Sequence, residues 1–146
     1  MFNLVGSFLN IIYIYGNNLK KHKKHVKNKS VIRNENQLRS QIERPNKEAI
    51  TGAEEIHHKD SLHYLRGGLD QITCKIATKK KNIIGFSFKS LKKINDPIKQ
   101  AKILGRMQQN MRLCEKFNTK TEILGDLSLD FRASFEKFLK NKNKKF

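Results

Sequence analysis

The sequence is poor in acidic residues, cysteine and proline, and it contains no tryptophan. Its 146 residues include 13 acidic and 31 basic residues, 2 prolines and 2 cysteines, which gives a formal net charge of +18. Cys74 and Cys114 lack CxxC spacing, and each falls on the apolar face of a predicted helix. That placement is typical of small buried hydrophobes in a reducing compartment, and it argues against a disulfide or a metal site.

The excess of positive charge indicates an anionic partner. A charge of +18 destabilises the compact state through self-repulsion, and a bound polyanion relieves that repulsion. Nucleic acid is the commonest such partner. A membrane surface is the rival interpretation, but it requires an amphipathic helix whose apolar face is free for lipid. Because the long helices of this chain need their apolar faces for a core, we expect nucleic acid and no membrane.

Long hydrophobic runs are also missing. Residues 1–15 are apolar but too few to cross a membrane, and they lack the basic leader of a signal peptide. We predict that residues 10–15 form a buried strand and that the protein is cytoplasmic. An unpaired edge on that first strand would invite another chain to cover it, so we also expect a protein partner.

Apolar periodicity predicts one α/β domain over residues 1–140 and a frayed basic tail over residues 141–146. Helices alternate with the strands, as in parallel β-α-β units, whose binding surface lies at the C-terminal ends of the strands. Strands are predicted at 10–15, 30–33, 48–51, 82–88 and 120–124. Helices are predicted from 17 or 18 to 27, then at 35–42, 67–80, 97–117 and 130–140, with a helical turn within 87–94.

Three of the predicted helices have a clear apolar face. In the helix at 67–80 that face consists of Leu69, Ile72, Ile76 and Ala77. Asp96 and Pro97 occupy the N-cap and first position of the long helix. Its stripe keeps three- and four-residue spacing through Ile98, Ala101, Leu104, Met107, Met111, Cys114 and Phe117. The last helix directs Phe131, Phe135 and Phe138 inward.

The segment 60–77 joins a glycine turn to a helix that ends in lysines. Gly67 and Gly68 can adopt backbone angles that other residues avoid, so the chain can turn sharply there. Such a turn, beside a packed helix with a basic exit, suits phosphate binding. Turn-and-helix units are also common as purely structural features, and both interpretations stay open at this point.

Catalytic constellations are sparse in this sequence. His57, His58 and His63 with Asp60 imitate a metal cluster, but they fall in a loop and no second ligand cluster accompanies them. Neither cysteine has an evident base partner, and no glycine pattern matches a P-loop or dinucleotide fingerprint. We therefore expect no catalytic site on the protein, no bound metal and no bound cofactor.

Several segments from about residue 34 onward match, in order, the motifs of one protein family. They are 34–45, Ile50, Glu54-Glu55, Asp60-Ser61, Arg66-Gly67-Gly68-Leu69-Asp70-Gln71, Cys74-Lys75-Ile76-Ala77, Ile84-Gly85-Phe86-Ser87-Phe88 and Asp130-Phe131-Arg132-Ala133. A long-helix motif adds Ala101, Leu104, Gly105, Arg106, Met107, Asn110, Arg112, Leu113, Cys114 and Phe117. Over about two thirds of its length the chain thus resembles the barrel protein of archaeal and eukaryotic ribonuclease P, protein component 3. It departs from the family where Gln71 replaces a frequent histidine and where Gly125-Asp126-Leu127 replaces a run of small residues.

The resemblance implies a fold and a function. The fold is a partial or distorted (β/α) barrel of the TIM type with parallel strands, related to the polymerase-and-histidinol-phosphatase (PHP) class but without its metal chemistry. With five predicted strands, the chain resembles a shortened archaeal member. The implied function is that of a ribonuclease P subunit, which assists an RNA catalyst in removing 5′ leaders from precursor tRNA. Mg²⁺ is expected at the RNA. The implied partners are the ribonuclease P RNA, precursor tRNA, the small α+β subunit called protein component 2, and the other protein subunits.

Six residues are predicted to contact RNA. Arg66, Lys80, Lys116 and Arg132 lie near the ends of predicted elements. The resemblance associates Arg132 and Lys80, with its neighbours, with RNA-dependent activity, and it places Gln71 at a motif position that can bond a phosphate or a base. The complete predicted set is Arg66, Gln71, Lys79, Lys80, Lys116 and Arg132. The alternative for Arg132 is an ion pair with Asp126 or Asp130, and the lysine-rich run 20–29 is interpreted as a solvated helix.

Two other functions stay open on the sequence. A metal-dependent phosphoesterase of the PHP class would need several histidine and acidic ligands at the strand ends. A free-standing basic RNA-binding module would be a stable monomer that binds RNA without a partner.

Overall fold

The computed structural model describes residues 30–46 and 48–141, in which strands and helices alternate. The strands are β1 (Ser30–Val31), β2 (Ile50–Thr51), β3 (Ile83–Ser87) and β4 (Lys120–Leu124). The helices are α1 (Glu35–Glu43), α2 (Gln71–Lys79), α3 (Phe88–Lys92), α4 (Pro97–Lys116) and α5 (Leu129–Lys140), and a single 3₁₀ turn covers Ala53–Glu55. The predicted strand at 10–15, the helix that follows it and most of the basic tail lie outside the described residues.

The four strands form one parallel sheet in the order β1-β2-β3-β4. Parallel neighbours need a crossover between them, and each crossover in this chain contains a helix or a helix with a long loop. β3 is buried along almost its whole length, as expected of a strand covered on both faces. The predicted α/β class with parallel strands is therefore confirmed.

One continuous hydrophobic cluster joins the sheet to all five helices. Its members include Phe86 of β3, Met107 and Met111 of α4, and Leu139 of α5, all of which are fully buried. At one end of the cluster, the Phe88 ring packs edge-on against Phe131 and Phe135, with centroid distances of 4.9 and 5.5 Å. The predicted inward placement of Phe131 and Phe135 is confirmed, and Phe138 is partly buried.

Helix α2 begins four residues later than predicted. The Asp70 carboxylate accepts a hydrogen bond from the Thr73 N–H at 2.7 Å, and the Thr73 hydroxyl accepts one from the Asp70 N–H at 2.9 Å. This reciprocal pair is a capping box, which places the first helical residue at Gln71. The predicted start at Gly67 is wrong because Gly67 and Gly68 belong to the turn that precedes the cap.

Two residues that were predicted to lie on buried apolar faces are exposed, and both predictions are wrong. Ile72 is 67% exposed and Ile98 is 70% exposed. Both lie in the first turn of a helix, beyond the part that packs on the sheet, so helical spacing alone does not bury them. The buried face of α2 consists of Thr73, Cys74 and Ala77. In α4 the stripe from Leu104 to Cys114 is buried as predicted.

The helices return antiparallel to the strands, so the connecting segments divide into two edges of the sheet. The C-terminal edge contains the segments that follow β1, β2, β3 and β4. The N-terminal edge contains the turns from α2 into β3 and from α4 into β4. Across residues 30–46 and 48–141, no helix has the length and apolar character needed to cross a bilayer.

Candidate functional site

At the C-terminal edge, Arg106 of α4 holds the loop that follows β2. Its guanidinium contacts Asp60 Oδ1 through Nη2 at 2.7 Å and through Nε at 2.9 Å. Nη1 donates to the carbonyl oxygens of Glu54 at 3.0 Å and of His57 at 2.7 Å. Arg106 is only 4% exposed, and these four contacts fix residues 54–60 against the long helix.

Asp60 also organises the next segment, because the same Oδ1 accepts the N–H of Arg66 at 2.9 Å. Partial desolvation by itself raises the pKa of Asp60. The hydrogen bonds from the Arg66 N–H and the Arg106 guanidinium, with the positive charges of Arg106 and Lys102, outweigh it and hold the pKa below its usual value. Asp60 is therefore an ionised anchor between two loops and α4.

The glycine turn fits against this anchored loop with no room for side chains. Gly68 has φ +89°, and a Cβ on it would lie 2.0 Å from the Ala53 carbonyl oxygen. A Cβ on Gly67 would lie 2.3 Å from Asn110 Oδ1, and Asn110 Nδ2 donates to the Gly67 carbonyl at 2.6 Å. The turn is thus packed against both the 3₁₀ turn and α4.

We expect Gly68→Ala to lower the free energy of unfolding by about 2–4 kcal/mol, because alanine resists a positive φ and its methyl group would collide with backbone. Urea denaturation measures the loss. Gly105→Ala is the matched control, since a Cβ there would meet only the Leu65 side chain, which can move, and alanine favours a helix. Equal urea midpoints for the Gly68→Ala protein and the unmodified protein would contradict this packing.

A pocket of about 380 Å³ opens beside the turn. Its lining carries charges of both signs, with Arg39 and Arg66 facing the same space as Glu35 and Asp70. The carboxylate of Asp70 already caps the N-terminus of α2, so that helix end presents an anion of its own. The structural interpretation of the glycine turn therefore describes it better than the phosphate-binding one.

One histidine of this loop has an acidic neighbour, but the loop does not form a cluster of metal ligands in the described residues. His57 Nε2 lies 3.4 Å from Glu35 Oε1, and Asp60 is bound to Arg106. In the part of the chain that the structure describes, there is no group of three or more His, Cys, Asp or Glu residues that could hold a metal ion.

The six predicted RNA-binding residues do not meet at one place. Arg66, Gln71 and Arg132 lie at the C-terminal edge, the first two beside the pocket or at the start of α2 and the third at the start of α5. Lys79, Lys80 and Lys116 lie at the N-terminal edge, where α2 and α4 end. The sequence predicts one binding surface at the C-terminal edge, whereas in the structure the predicted residues lie at both edges.

Arg132 is half-buried and bonded to backbone. Its Nη2 donates to the Gly125 carbonyl at 3.2 Å, and its Nε is buried without a partner. Among the described residues, neither Asp126 nor Asp130 forms an ion pair with it. The guanidinium is therefore held at the end of β4 with hydrogen-bonding capacity left over.

At the N-terminal edge, the ends of α2 and α4 are joined by a cluster of polar contacts. Thr78 Oγ1 lies 3.0 Å from the Phe117 carbonyl and 2.9 Å from Thr119 Oγ1. The ammonium groups of Lys75 and Lys116 lie 5.5 and 5.6 Å from the centre of the Phe117 ring. Two helices thus place cations around one aromatic ring.

Glu54 and Asn110 are buried polar residues whose individual roles the sequence did not reveal. Burial raises the pKa of Glu54 to about 7, and its Oε1 has no partner in the described structure. Asn110, like Arg106, falls at helical spacing from Ile103. That spacing was the available signal that both polar side chains are buried.

No protein-family model matches this sequence, and no curated protein matches it significantly.

Proposed function

We propose that this chain is a noncatalytic protein subunit of ribonuclease P, related to protein component 3, that binds the ribonuclease P RNA and assists its cleavage of precursor tRNA. The observation that carries the proposal is that residues from motifs far apart in the sequence contact one another. Asp60, Gly67 and the long-helix residues Arg106 and Asn110 come from three motifs of the resemblance. Arg106 bonds to Asp60, Asn110 bonds to the Gly67 carbonyl, and the Arg66 N–H bonds to Asp60 between them. These contacts support the interpretation of the motifs as parts of one fold.

The sheet supports a shortened (β/α) barrel. Four parallel strands follow one another in sequence order, as they would in an arc of such a barrel. In the proposal, that arc is completed or covered by another chain, for which protein component 2 is the candidate. A phosphoesterase of the PHP class needs converging metal ligands, and the described residues give that alternative no specific support.

In this proposal the RNA supplies the catalysis together with its Mg²⁺, and the protein supplies positive charge at fixed positions. Arg132 is the best-placed side chain at the C-terminal edge, because the Gly125 carbonyl orients its guanidinium and no carboxylate of the described residues forms an ion pair with it. A phosphate can accept two parallel hydrogen bonds from such a group. Lys79 and Lys80 add exposed positive charge at the other edge.

We expect Arg132→Ala to lower the cleavage rate of the reconstituted particle by about 10-fold, the size of one lost charge-assisted contact. Lys80→Ala should lower the rate less, because one exposed lysine among neighbours is partly replaced by them. The measurement is cleavage of precursor tRNA at moderate salt, with circular dichroism to verify folding.

Lys137→Ala is the matched control, since Lys137 is exposed on the same helix as Arg132. Its particle should cleave at the rate of the unmodified one. Alanine at Lys23 and Lys24 tests the alternative of diffuse charge. An equal loss of activity from those two lysines, or from Lys137, would mean that Arg132 is not a specific contact.

A further inference from the structure

The two turns of the N-terminal edge have the same backbone geometry. Lys81 and Asn118 follow the ends of α2 and α4 in the left-handed conformation, with φ of 59° and 54°. After them, the Asn82 N–H donates to the Ala77 carbonyl at 2.9 Å and the Thr119 N–H to the Cys114 carbonyl at 2.8 Å. Both are Schellman turns. They lie side by side because β3 and β4, the strands they enter, are paired.

Lys81 is an unusual occupant of its position. Glycine, or less often asparagine, is the usual residue at the left-handed site that ends a helix, because a Cβ is unfavourable there. The equivalent turn of α4 uses asparagine, whereas the turn of α2 uses a lysine. A residue in an unfavourable conformation is a reason to look for a role of its side chain.

Six exposed lysines surround these turns, and we call them the lysine edge. They are Lys75, Lys79, Lys80, Lys81, Lys116 and Lys120. Among the described residues, none of the six forms an ion pair with a carboxylate. The contacts of Thr78 with Phe117 and Thr119 hold the two turns together, so the six charges belong to one rigid part of the surface.

Compensation of the helix dipole explains only part of this arrangement. Lysines in the last turn of a helix are stabilising, which accounts for Lys79 and Lys116. It does not account for Lys81, which lies outside the helix in an unfavourable conformation, or for Lys120, which lies on a strand.

We propose that the lysine edge binds the phosphate backbone of double-helical RNA. The choice of RNA as the polyanion rests on the proposed function. The proposal places a contact with an RNA duplex at the N-terminal edge.

The side chains of this edge favour a duplex over a single strand. Single-stranded RNA is bound largely by stacking of bases on exposed aromatic rings. The ring at this edge, Phe117, is partly buried and is approached by two ammonium groups. In the described part, the exposed aromatic side chain is Tyr64, at the opposite edge. Lysine ammonium groups without stacking platforms suit a duplex, which is recognised by backbone and shape.

The test compares two quadruple variants that remove equal charge. The first variant changes four lysines of the lysine edge to glutamine: Lys79, Lys81, Lys116 and Lys120. The second variant makes the same change at four exposed lysines of the C-terminal edge: Lys59, Lys89, Lys93 and Lys99. Binding of a plain RNA duplex is measured over a range of salt concentrations. We expect the plot of log K against log salt to become shallower by up to about 3.6 for the first variant, because each of four lost phosphate contacts removes about 0.9. The second variant should change the slope by less than about 1.

Lys81→Gly separates a binding role from a structural one. Glycine relieves the left-handed conformation, so the urea midpoint should rise, while duplex affinity falls. Phe117→Leu should lower duplex affinity by less than about five-fold, the smallest loss expected when a stacked base is released.

Four outcomes would overturn the proposal. The first is an equal change of the salt slope in the two quadruple variants, and the second is an unchanged duplex affinity of the Lys81→Gly protein. The third is that the unmodified protein binds a single-stranded RNA of the same length as tightly as the duplex, or more tightly. The fourth is that it binds vesicles containing anionic phospholipid as tightly as the duplex. None of these measurements uses the ribonuclease P particle. If the chain fails to stimulate cleavage but gives the expected results in the duplex-binding measurements, the proposed function is wrong and the proposal of a duplex-binding surface still holds.

Discussion

Arg106→Met lowers the free energy of unfolding by about 3–5 kcal/mol, the range found when one partner of a buried ion pair is removed. Methionine fills much of the space of the arginine stem, so the loss reports the polar contacts. It leaves the Asp60 carboxylate without its cation and the carbonyls of Glu54 and His57 without a donor. Urea denaturation near neutral pH measures the effect.

Arg112→Met on the same helix is the control, because Arg112 is exposed and should cost less than about 0.5 kcal/mol. A double-mutant cycle with Asp60→Asn isolates the coupling between the two charged groups. A loss below about 1 kcal/mol for Arg106→Met would show that the network around Asp60 is not a main support of the C-terminal edge.

Glu54→Gln stabilises the protein at pH 8 by up to about 3 kcal/mol and has little effect at pH 4. Burial raises the pKa of Glu54 from 4.5 to about 7. Between those pH values the folded protein holds a proton that the unfolded chain releases. Stability therefore falls as pH rises from about 4.5 to about 7, and the full penalty is present above that range. Glutamine stays neutral and avoids the penalty.

The control for Glu54→Gln is Glu43→Gln, which removes the same charge from an exposed residue of α1. It corrects for the added self-repulsion in a chain of net charge +18. Urea midpoints at pH 4, 6 and 8 give the comparison. A difference between Glu54→Gln and the unmodified protein that is the same at all three pH values would mean that Glu54 is not buried in the proton-bound form.

The alternation of strands and helices could be read from the sequence because local signals agree with the tertiary structure. β4 occupies the predicted residues 120–124, and α4 starts at the predicted cap of Asp96 and Pro97. In both elements, side-chain preference and burial favour the same conformation. The exposed positions of Ile72 and Ile98 could not be read, because periodicity assigns a face to a helix but does not say where packing on that face begins.

The candidate sites were harder to predict than the fold. Lys80 and Lys116 are predicted from their positions near the ends of elements, and Lys79 as a neighbour of Lys80. An end can be assigned to one edge or the other only once strand direction is known. The contact of Arg106 with Asp60 joins residues far apart in the chain, and no local pattern specifies which acid a buried arginine will meet. The left-handed conformation of Lys81 has no compositional signal, since lysine is a usual residue near a helix end.

Reconstitution of precursor-tRNA cleavage tests the central proposal most directly. The cognate ribonuclease P RNA is assayed at moderate Mg²⁺ alone, with protein component 2, with this chain, and with both proteins. We expect the two proteins together to stimulate cleavage well beyond either alone, and the protein without RNA to cleave nothing at any Mg²⁺ concentration. The same cleavage rate with and without this chain, or cleavage by the RNA-free protein that is lost when His57 and His58 are changed, would contradict a noncatalytic role in ribonuclease P.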